Sequence, residues 1–245
     1  MKLKLLLVFL LLCLFGYIYL WASYSRIYNV IGEKHLSSPF VSNTFTVGNS
    51  NNEGQAKYVA LGDSLSAGVG ARKIEDTFVY SYAEKLSEKY WQVNVVNLAW
   101  PGDESIDVLK AQLPQAIAQK PDYVTLFIGI NDMHDQVSLE AFRSNYNDIL
   151  NQLLVKTKAQ ILVITVPYLG SNDLIRFPLT HYYDMRTQQY NSIIKSLAQN
   201  DRLKLVDLYK DSRKVLNASD DNYAEDLFHP SAKGYLLWSK IINAD

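Results

Sequence analysis

The pattern of hydrophobic and polar positions divides the chain into one long apolar run near its start and a region in which short apolar runs alternate with amphipathic segments. The short runs predict five β-strands, over residues 58–61, 93–98, 123–128, 161–166 and 203–206. Two of them, VTLFI and ILVITV, are nearly continuous hydrophobic runs, which are typical of parallel strands covered on both faces.

The longer segments between these strands have apolar residues at helical spacing. They predict helices over residues 76–90, 105–119, 138–157 and 183–200, and a last helix over 231–242. Strands that alternate with helices indicate an α/β fold. We therefore predict a three-layer sandwich in which a five-stranded parallel sheet lies between two layers of helices.

The apolar run covers residues 5–22 and is preceded by Lys2 and Lys4, and the next charged residue is Arg26. The uncharged stretch between Lys4 and Arg26 reaches ~31 Å as a helix, about the hydrocarbon thickness of a bilayer. Amphipathic aromatic residues gather at its far end, as at a membrane interface: Tyr17, Tyr19, Trp21 and Tyr24. Because lysines favour the cytoplasmic side, residues 1–25 predict a single membrane span with the rest of the chain outside the cytoplasm.

A cleaved signal peptide is the alternative for this segment, and cleavage would release the protein as a secreted one. Signal peptides usually have a shorter apolar stretch, of ~7–15 residues, followed by a small-x-small cleavage site. Here only Ala22, Ser23 and Ser25 offer small side chains, among bulky neighbours. The sequence therefore favours a retained anchor.

Residues 26–56 separate this segment from the alternating region. Their second half, from residue 42, is rich in Ser, Asn and Gly and shows no periodicity. Such a composition predicts a flexible tether over 26–56, with the globular domain at 57–245.

Composition and charge exclude several classes of protein. The chain has 245 residues, of which 48% are apolar, so it can bury a core and is not disordered. A single cysteine excludes a disulfide scaffold and a cysteine-built zinc site. Residues 1–56 carry a net charge of +2 and residues 57–245 one of −3, so there is no basic stripe that would bind nucleic acid.

Candidate chemistry lies where the predicted strands end, because ligands of such sheets bind beyond the carboxyl ends of the strands. Ser64 follows the first strand in LGDSLSAG, and its hydroxyl is either a nucleophile or simply a helix cap. The α/β-hydrolase motif G-x-S-x-G does not fit, since Ser66 occupies its last position.

Asp226 and His229 form a second candidate near the end of the chain. Three residues apart, they can lie on one side of a turn, so that the carboxylate holds the imidazole Nδ1–H and leaves Nε2 to take a proton from a serine. The alternative is an aspartate that caps a surface turn beside a solvated histidine.

Acyl transfer also needs hydrogen-bond donors for the oxyanion. Gly102, after the second strand, allows a close backbone approach, and Asn131, after the third, supplies a side-chain amide. The N–H of Ser64 is a third candidate donor. Gly102 and Asn131 are equally compatible with a simple turn and a loop contact.

Together these residues resemble the SGNH hydrolases, also called the GDSL lipase/esterase family, over residues 58–242. The four blocks of that family occur in order: GDSL at 62–65, the glycine at Gly102, GxND at 129–132 and DxxH at 226–229. The resemblance implies a flavodoxin-like fold. No metal or other cofactor is expected, because His35, His134 and His181 lack partners at metal-ligand spacing and no phosphate-binding glycine loop occurs. The resemblance also implies that Ser64 is the nucleophile, His229 the general base and Asp226 its orienting carboxylate, with Ser64, Gly102 and Asn131 forming the oxyanion hole. Pro101 departs from an ordinary block two, because it restricts Trp100 to extended geometry and so affects the position of the Gly102 donor.

By this resemblance the chain is expected to be a serine ester hydrolase that works through an acyl-enzyme, and the charge pattern around the apolar run is expected to place it outside the cytoplasmic membrane. We expect a lipid or lysophospholipid-like substrate, because residues 168–185 should overhang the site and offer Tyr168, Phe177 and Tyr182 as substrate-binding candidates. This segment is equally compatible with sugar stacking or with packing on its own domain. The alternatives are a carbohydrate O-acetylesterase of the cell envelope and a non-catalytic envelope-binding domain.

Overall fold

A computed structural model describes residues 2–33, 36, 43–48, 50–168 and 170–244. Its centre is a six-stranded sheet with the strand order β1-β3-β2-β4-β5-β6. The strands are β1 (Thr44–Gly48), β2 (Gln55–Gly62), β3 (Gln92–Asn97), β4 (Tyr123–Phe127), β5 (Gln160–Ile164) and β6 (Leu203–Val206). Strands β2 to β6 are parallel, as the hydrophobic pattern predicts, and β1 is antiparallel to β3.

Helices surround this sheet. They are α1 (Lys2–Glu33), α2 (Ser64–Ala67), α3 (Phe78–Ser87), α4 (Ser105–Asp107), α5 (Leu113–Ala118), α6 (Ile130–His134), α7 (Leu139–Lys156), α8 (Leu179–Leu197), α9 (Leu208–Leu216) and α10 (Ala232–Ala244). A π-helical turn, Val108–Gln112, joins α4 to α5, and 3-10 turns cover Ile74–Asp76 and Asp220–Asn222.

The direction of the strand connections places the helices in two layers. From β2 the chain moves to β3 on one side, and the later connections move toward β6 on the other side. Because such crossovers are right-handed, α3 covers one face, and α5, α7 and α8 cover the opposite one. Helix α10 packs with α3 and α9 and completes the first layer. The reversal of direction at β2 makes the carboxyl end of this strand the expected ligand site.

Strand β1 is the main departure from the predicted sheet. It lies within residues 26–56, for which the sequence predicted a flexible tether, and it turns a five-stranded parallel sheet into a six-stranded mixed one. Of its side chains, only that of Val47 is buried, since an edge strand packs on one face and presents the other to solvent. A single buried position gives little hydrophobic signal.

Residues 26–33 were also assigned to the tether, but they continue helix α1. Ile27, Val30 and Ile31 follow the spacing of one helix face and pack against the core, with Ile27 fully buried. The rest of α1 is long and apolar enough to cross a membrane, a test that a signal sequence also passes.

Three smaller differences concern the helices. The predicted helix over 105–119 is divided by the π-helical turn, with Pro114 in the first turn of α5. Helix α8 begins at Leu179, so that Tyr182 lies on a helix rather than in a loop. Helix α9 was not predicted, because it is short and most of its residues are charged or polar.

Candidate active site

Ser64 lies directly after the central strand β2, at the start of the short helix α2. Gly62 ends the strand with φ = +153°, and a Cβ there would come within 2.3 Å of the Phe127 carbonyl oxygen, so only glycine fits. A side-chain oxygen of Asp63 accepts the Leu65 N–H at 2.9 Å and caps α2. This turn directs Ser64 beyond the carboxyl edge of the sheet while leaving the residue largely buried.

Asp226 and His229 are held together by a tight turn. Leu227 adopts the left-handed conformation with φ = +58°. Asp226 Oδ1 accepts the N–H groups of Phe228 and His229, each at 3.0 Å, and Asp226 Oδ2 lies 2.5 Å from His229 Nδ1. The carboxylate therefore fixes both the backbone of the turn and the orientation of the imidazole.

The same imidazole reaches the serine. His229 Nε2 lies 2.9 Å from Ser64 Oγ, although the two residues are 165 positions apart in the chain. Burial alone would raise the pKa of Asp226, but the hydrogen bond and charge of His229 and the two backbone N–H groups outweigh it and hold that pKa below its ordinary value. An ionised Asp226 accepts the Nδ1 proton, so Nε2 of the neutral imidazole is free to take the proton of Ser64.

Gly102 and Asn131 lie on the segments that follow β3 and β4, the two strands on either side of β2. Gly102 has φ = +89° and follows Pro101 in a turn closed by the Asp103 N–H on the Trp100 carbonyl at 3.2 Å, the pattern of a type II turn. Gly102 is the third residue of this turn, and its N–H does not take part in the hydrogen bond that closes it. Asn131 stands in the first turn of α6 and donates one amide hydrogen to the Asp103 carbonyl at 2.9 Å. Since an amide has two hydrogens, one remains for another acceptor.

A network of buried polar side chains connects these strand ends. Gln112 bonds to both the N–H and the carbonyl of Gly62, at 3.0 and 2.7 Å, and to Asp103 Oδ2 at 2.8 Å. Asp132 accepts the Ser105 N–H at 2.8 Å and also the Ser105 hydroxyl. Gln112 and Ser105 could not be identified from the sequence, because their partners lie far away in the chain and no local motif marks them.

The three substrate-binding candidates differ in their exposure. Tyr168 is buried, its N–H bonds to Ser212 at 3.0 Å, and its ring packs under the Arg213 guanidinium at 4.9 Å. Phe177 and Tyr182 are instead exposed, on the last part of the loop and on α8. Among the described residues, a cavity of about 10 Å³ lies beside Tyr168 and Tyr183. It has room for no more than a water molecule.

The loop that follows β5 contacts the site through its backbone. The Ser171 N–H donates to the Leu227 carbonyl at 2.8 Å, within the turn that holds Asp226 and His229. The hydroxyl of Tyr223 donates to the Gly170 carbonyl at 2.8 Å. The segment after β5 is therefore attached to the wall of the site through its backbone.

Comparisons with known proteins agree on one family. The model of the GDSL-like lipase/acylhydrolase family matches residues 60–237. An acetylxylan esterase of Geobacillus stearothermophilus is 28% identical over 158 residues, which cover 60% of this chain and 69% of the esterase. The spore germination lipase LipC of Bacillus licheniformis is 28% identical over 208 residues, which cover 77% of this chain and 95% of the lipase.

Solved structures share the fold. TesA superposes with a TM-score of 0.62 at 19% sequence identity, over 76% of this chain and 95% of TesA. A lipase/acylhydrolase from Enterococcus faecalis superposes with a TM-score of 0.60 at 24% identity, over 77% of this chain and 94% of that protein. Identities this low show a common architecture.

Proposed function

Since this chain belongs to the GDSL-like lipase/acylhydrolase family and is a carboxylic ester hydrolase, we propose that it cleaves esters through an acyl-enzyme formed on Ser64. The observation that carries this proposal is the hydrogen-bonded chain from Ser64 Oγ through His229 to Asp226.

In the first half of the reaction, His229 Nε2 takes the Ser64 proton as Oγ attacks the acyl carbon. The negative charge that develops on the carbonyl oxygen is stabilised by the N–H groups of Ser64 and Gly102 and by the second amide hydrogen of Asn131. The ester C–O bond then breaks, and His229 returns the proton to the departing alcohol. Asp226, held ionised, stabilises the imidazolium that exists between these two transfers.

In the second half, water takes the place of the alcohol. His229 removes its proton, the oxygen attacks the acyl-enzyme carbonyl, and the Ser64–acyl bond breaks as the proton returns to Oγ. The products are a carboxylic acid and the free enzyme, so the reaction balances without a cofactor.

The first test compares two serines of the same helix. Ser64→Ala should abolish hydrolysis of p-nitrophenyl butyrate, because it removes the nucleophile. Ser66→Ala is the matched control. Ser66 is also buried, but its hydroxyl bonds to the Leu61 carbonyl at 3.4 Å, so this substitution should leave the rate nearly unchanged. Both are measured as steady-state rates on protein whose circular dichroism matches that of the parent. Full activity in a folded Ser64→Ala protein contradicts the mechanism.

For the substrate, we propose a lipid or other medium-chain acyl ester, met outside the cytoplasmic membrane to which α1 anchors the domain. Lys2 and Lys4 before the apolar run support this orientation. Similarity to a lipase over most of the chain supports the acyl-ester assignment. Similarity to an acetylxylan esterase favours a second candidate, the removal of acetyl groups from envelope carbohydrate.

Esters of increasing acyl length distinguish the two candidates. Burial of each additional CH₂ contributes ~0.8 kcal/mol, about fourfold in kcat/KM per methylene where a pocket fits. An acyl pocket therefore predicts that kcat/KM rises from p-nitrophenyl acetate through butyrate to octanoate. A site closed around one methyl group predicts the reverse order, and acetate as the best substrate would transfer the assignment to O-acetyl groups.

A further inference from the structure

Helix α1 is attached to the catalytic domain over residues 24–33, which we call the docked segment. Ile27 is only 1% exposed and belongs to the domain core. Arg26 Nη2 donates to the Asp173 carbonyl at 3.2 Å, and the hydroxyl of Tyr19, one turn before the docked segment, donates to the Phe177 carbonyl at 2.8 Å. The helix that carries the apolar run is therefore fixed in direction relative to the domain.

Both of these carbonyls belong to residues 170–178, which we call the bridging loop. Two of its three large apolar side chains, Leu174 and Ile175, are buried, and the third, Phe177, is exposed. At its other end, Ser171 donates to the Leu227 carbonyl at 2.8 Å, between Asp226 and His229. One short loop thus contacts α1 on one side and the turn that orients the imidazole on the other.

A second contact connects α1 to the segment that holds Asn131. The ring of Tyr28 lies 5.1 Å from that of His134, which stands three residues after Asn131 on α6. His134 in turn stacks on Tyr183 of α8 at 6.3 Å. The docked segment therefore packs beside two of the elements that surround Ser64.

The apolar run sets the depth of these contacts in a bilayer. Residues 5–22 span ~27 Å as a helix, so Tyr19 lies within one turn of the hydrocarbon boundary and Arg26 lies ~6 Å beyond it. The Phe177 carbonyl, bonded to Tyr19, is then at the boundary, and the Asp173 carbonyl, bonded to Arg26, is among the headgroups. The exposed side chains nearby suit this position: Phe177 is 74% exposed, beside the exposed Arg176.

We propose that the bridging loop lies in the headgroup layer and that the site of Ser64 opens at the bilayer surface, where it takes acyl-ester lipids from the leaflet in which α1 ends. This inference rests on the proposed function for its chemistry. The orientation follows from the α1 contacts and the position of the apolar run, and it does not depend on the chemistry.

The orientation is tested by labelling single cysteines in the full chain. In a Cys13→Ser background, Phe177→Cys and Val155→Cys each receive an environment-sensitive fluorophore, and the protein is reconstituted into phosphatidylcholine vesicles that contain a headgroup-nitroxide lipid. Val155 is the matched control: it is 83% exposed and lies at the end of α7, before β5 begins, at the sheet edge opposite Ser64. We expect strong quenching at position 177 and little at 155. Equal quenching overturns the orientation.

The consequence for the substrate is tested by an insertion. A flexible Gly-Ser segment placed between Ala22 and Ser23 keeps the span but separates it from the docked segment. Hydrolysis of lysophosphatidylcholine in vesicles should fall at least about tenfold, because the site no longer faces the leaflet, whereas that of soluble p-nitrophenyl butyrate should stay within about twofold.

The outcomes separate this inference from the proposed function. Unchanged hydrolysis of the vesicle lipid after insertion overturns the inference, as does a parent protein that cleaves the soluble ester but not the lipid. A folded parent that cleaves neither ester refutes the proposed function, and the quenching comparison then still decides the orientation. If the insertion abolishes both activities, the quenching comparison decides alone.

Discussion

At the scale of single residues, Asp63 places a carboxyl group directly behind Ser64 without taking part in the proposed proton transfers. It is fully buried, and burial raises its pKa from the ordinary 3.8 to about 8. Its bond from the Leu65 N–H opposes this rise, whereas the charges of Asp132 and Asp103 add to it. At neutral pH the group is therefore largely protonated in the folded protein and ionised in the unfolded chain.

This difference predicts how stability depends on pH. Between about pH 4 and 8 the folded state binds one more proton at Asp63 than the unfolded state, so the free energy of unfolding falls as pH rises, by at most ~1.4 kcal/mol per pH unit from this group. Asp63→Asn keeps a side-chain oxygen for the Leu65 N–H and removes the titration. Urea unfolding of parent and variant in mild detergent between pH 5 and 8 should show the variant gaining relative stability as pH rises.

Leu65→Val serves as the control for this comparison, since it perturbs the same helix without a titrating group and should shift stability by a constant amount. A difference between Asp63→Asn and the parent that does not change with pH contradicts a neutral Asp63. Asp226 has the opposite sign: its lowered pKa gives stability that is lost only as pH falls below the ordinary range of aspartate.

The sequence identified those residues whose positions depend on local geometry. The four motif blocks are short, and the family resemblance that they carry is confirmed by the match over residues 60–237. Ser64, Asp226 and His229, which the family resemblance groups together, lie in one hydrogen-bonded chain. Gln112 bonds to Gly62 over 50 positions and Ser105 to Asp132 over 27. Such contacts are set by the fold and have no periodic signal.

At the scale of elements, two described parts of the predicted tether, residues 26–33 and 44–48, pack on the domain. Strand β1 covers the edge of β3, pairing Thr44 with Val96 and Val47 with Val93. Residues Gln55 and Ala56 already belong to β2, and Ala56 is buried. The sequence placed the domain boundary at residue 57 because this segment is polar and short of apolar periodicity.

The structure therefore predicts different results for two truncations. A chain that begins at Ser23 keeps the docked segment and β1, and it should be folded and active on p-nitrophenyl butyrate. A chain that begins at Lys57 loses Ile27, β1 and the start of β2. Loss of one buried Ile side chain alone costs ~2–5 kcal/mol, so this chain should unfold at much lower urea or aggregate.

Comparison of the two chains by urea unfolding and gel filtration checks this expectation. Equal stability would mean that β1 and the docked segment contribute nothing to the core. The burial of the strands also explains why the β/α alternation was easier to predict than its ends. Strands β2, β4 and β5 are buried on both faces over most of their length, whereas β1 buries only Val47.

At the scale of the whole molecule, the apolar run and the catalytic domain share one continuous helix. Helix α1 runs from Lys2 to Glu33 without interruption, so its first two thirds can lie in a bilayer while its last third packs on the domain. A signal peptide is normally followed by a chain that folds without it. Here Tyr19 and Arg26 bond to the same loop from both sides of the segment where cleavage would occur.

This arrangement predicts that the apolar run is retained. The full-length protein should remain with the membrane fraction after an alkaline carbonate wash, and its intact mass should correspond to a chain that begins at the first residues. The chain that begins at Ser23, expressed beside it, is the control and should be released by the wash, because the uncharged helix supplies the membrane affinity. A mature terminus between residues 23 and 27 would contradict the anchor, and with it the bilayer position of Phe177, since the bond from Tyr19 would then be lost.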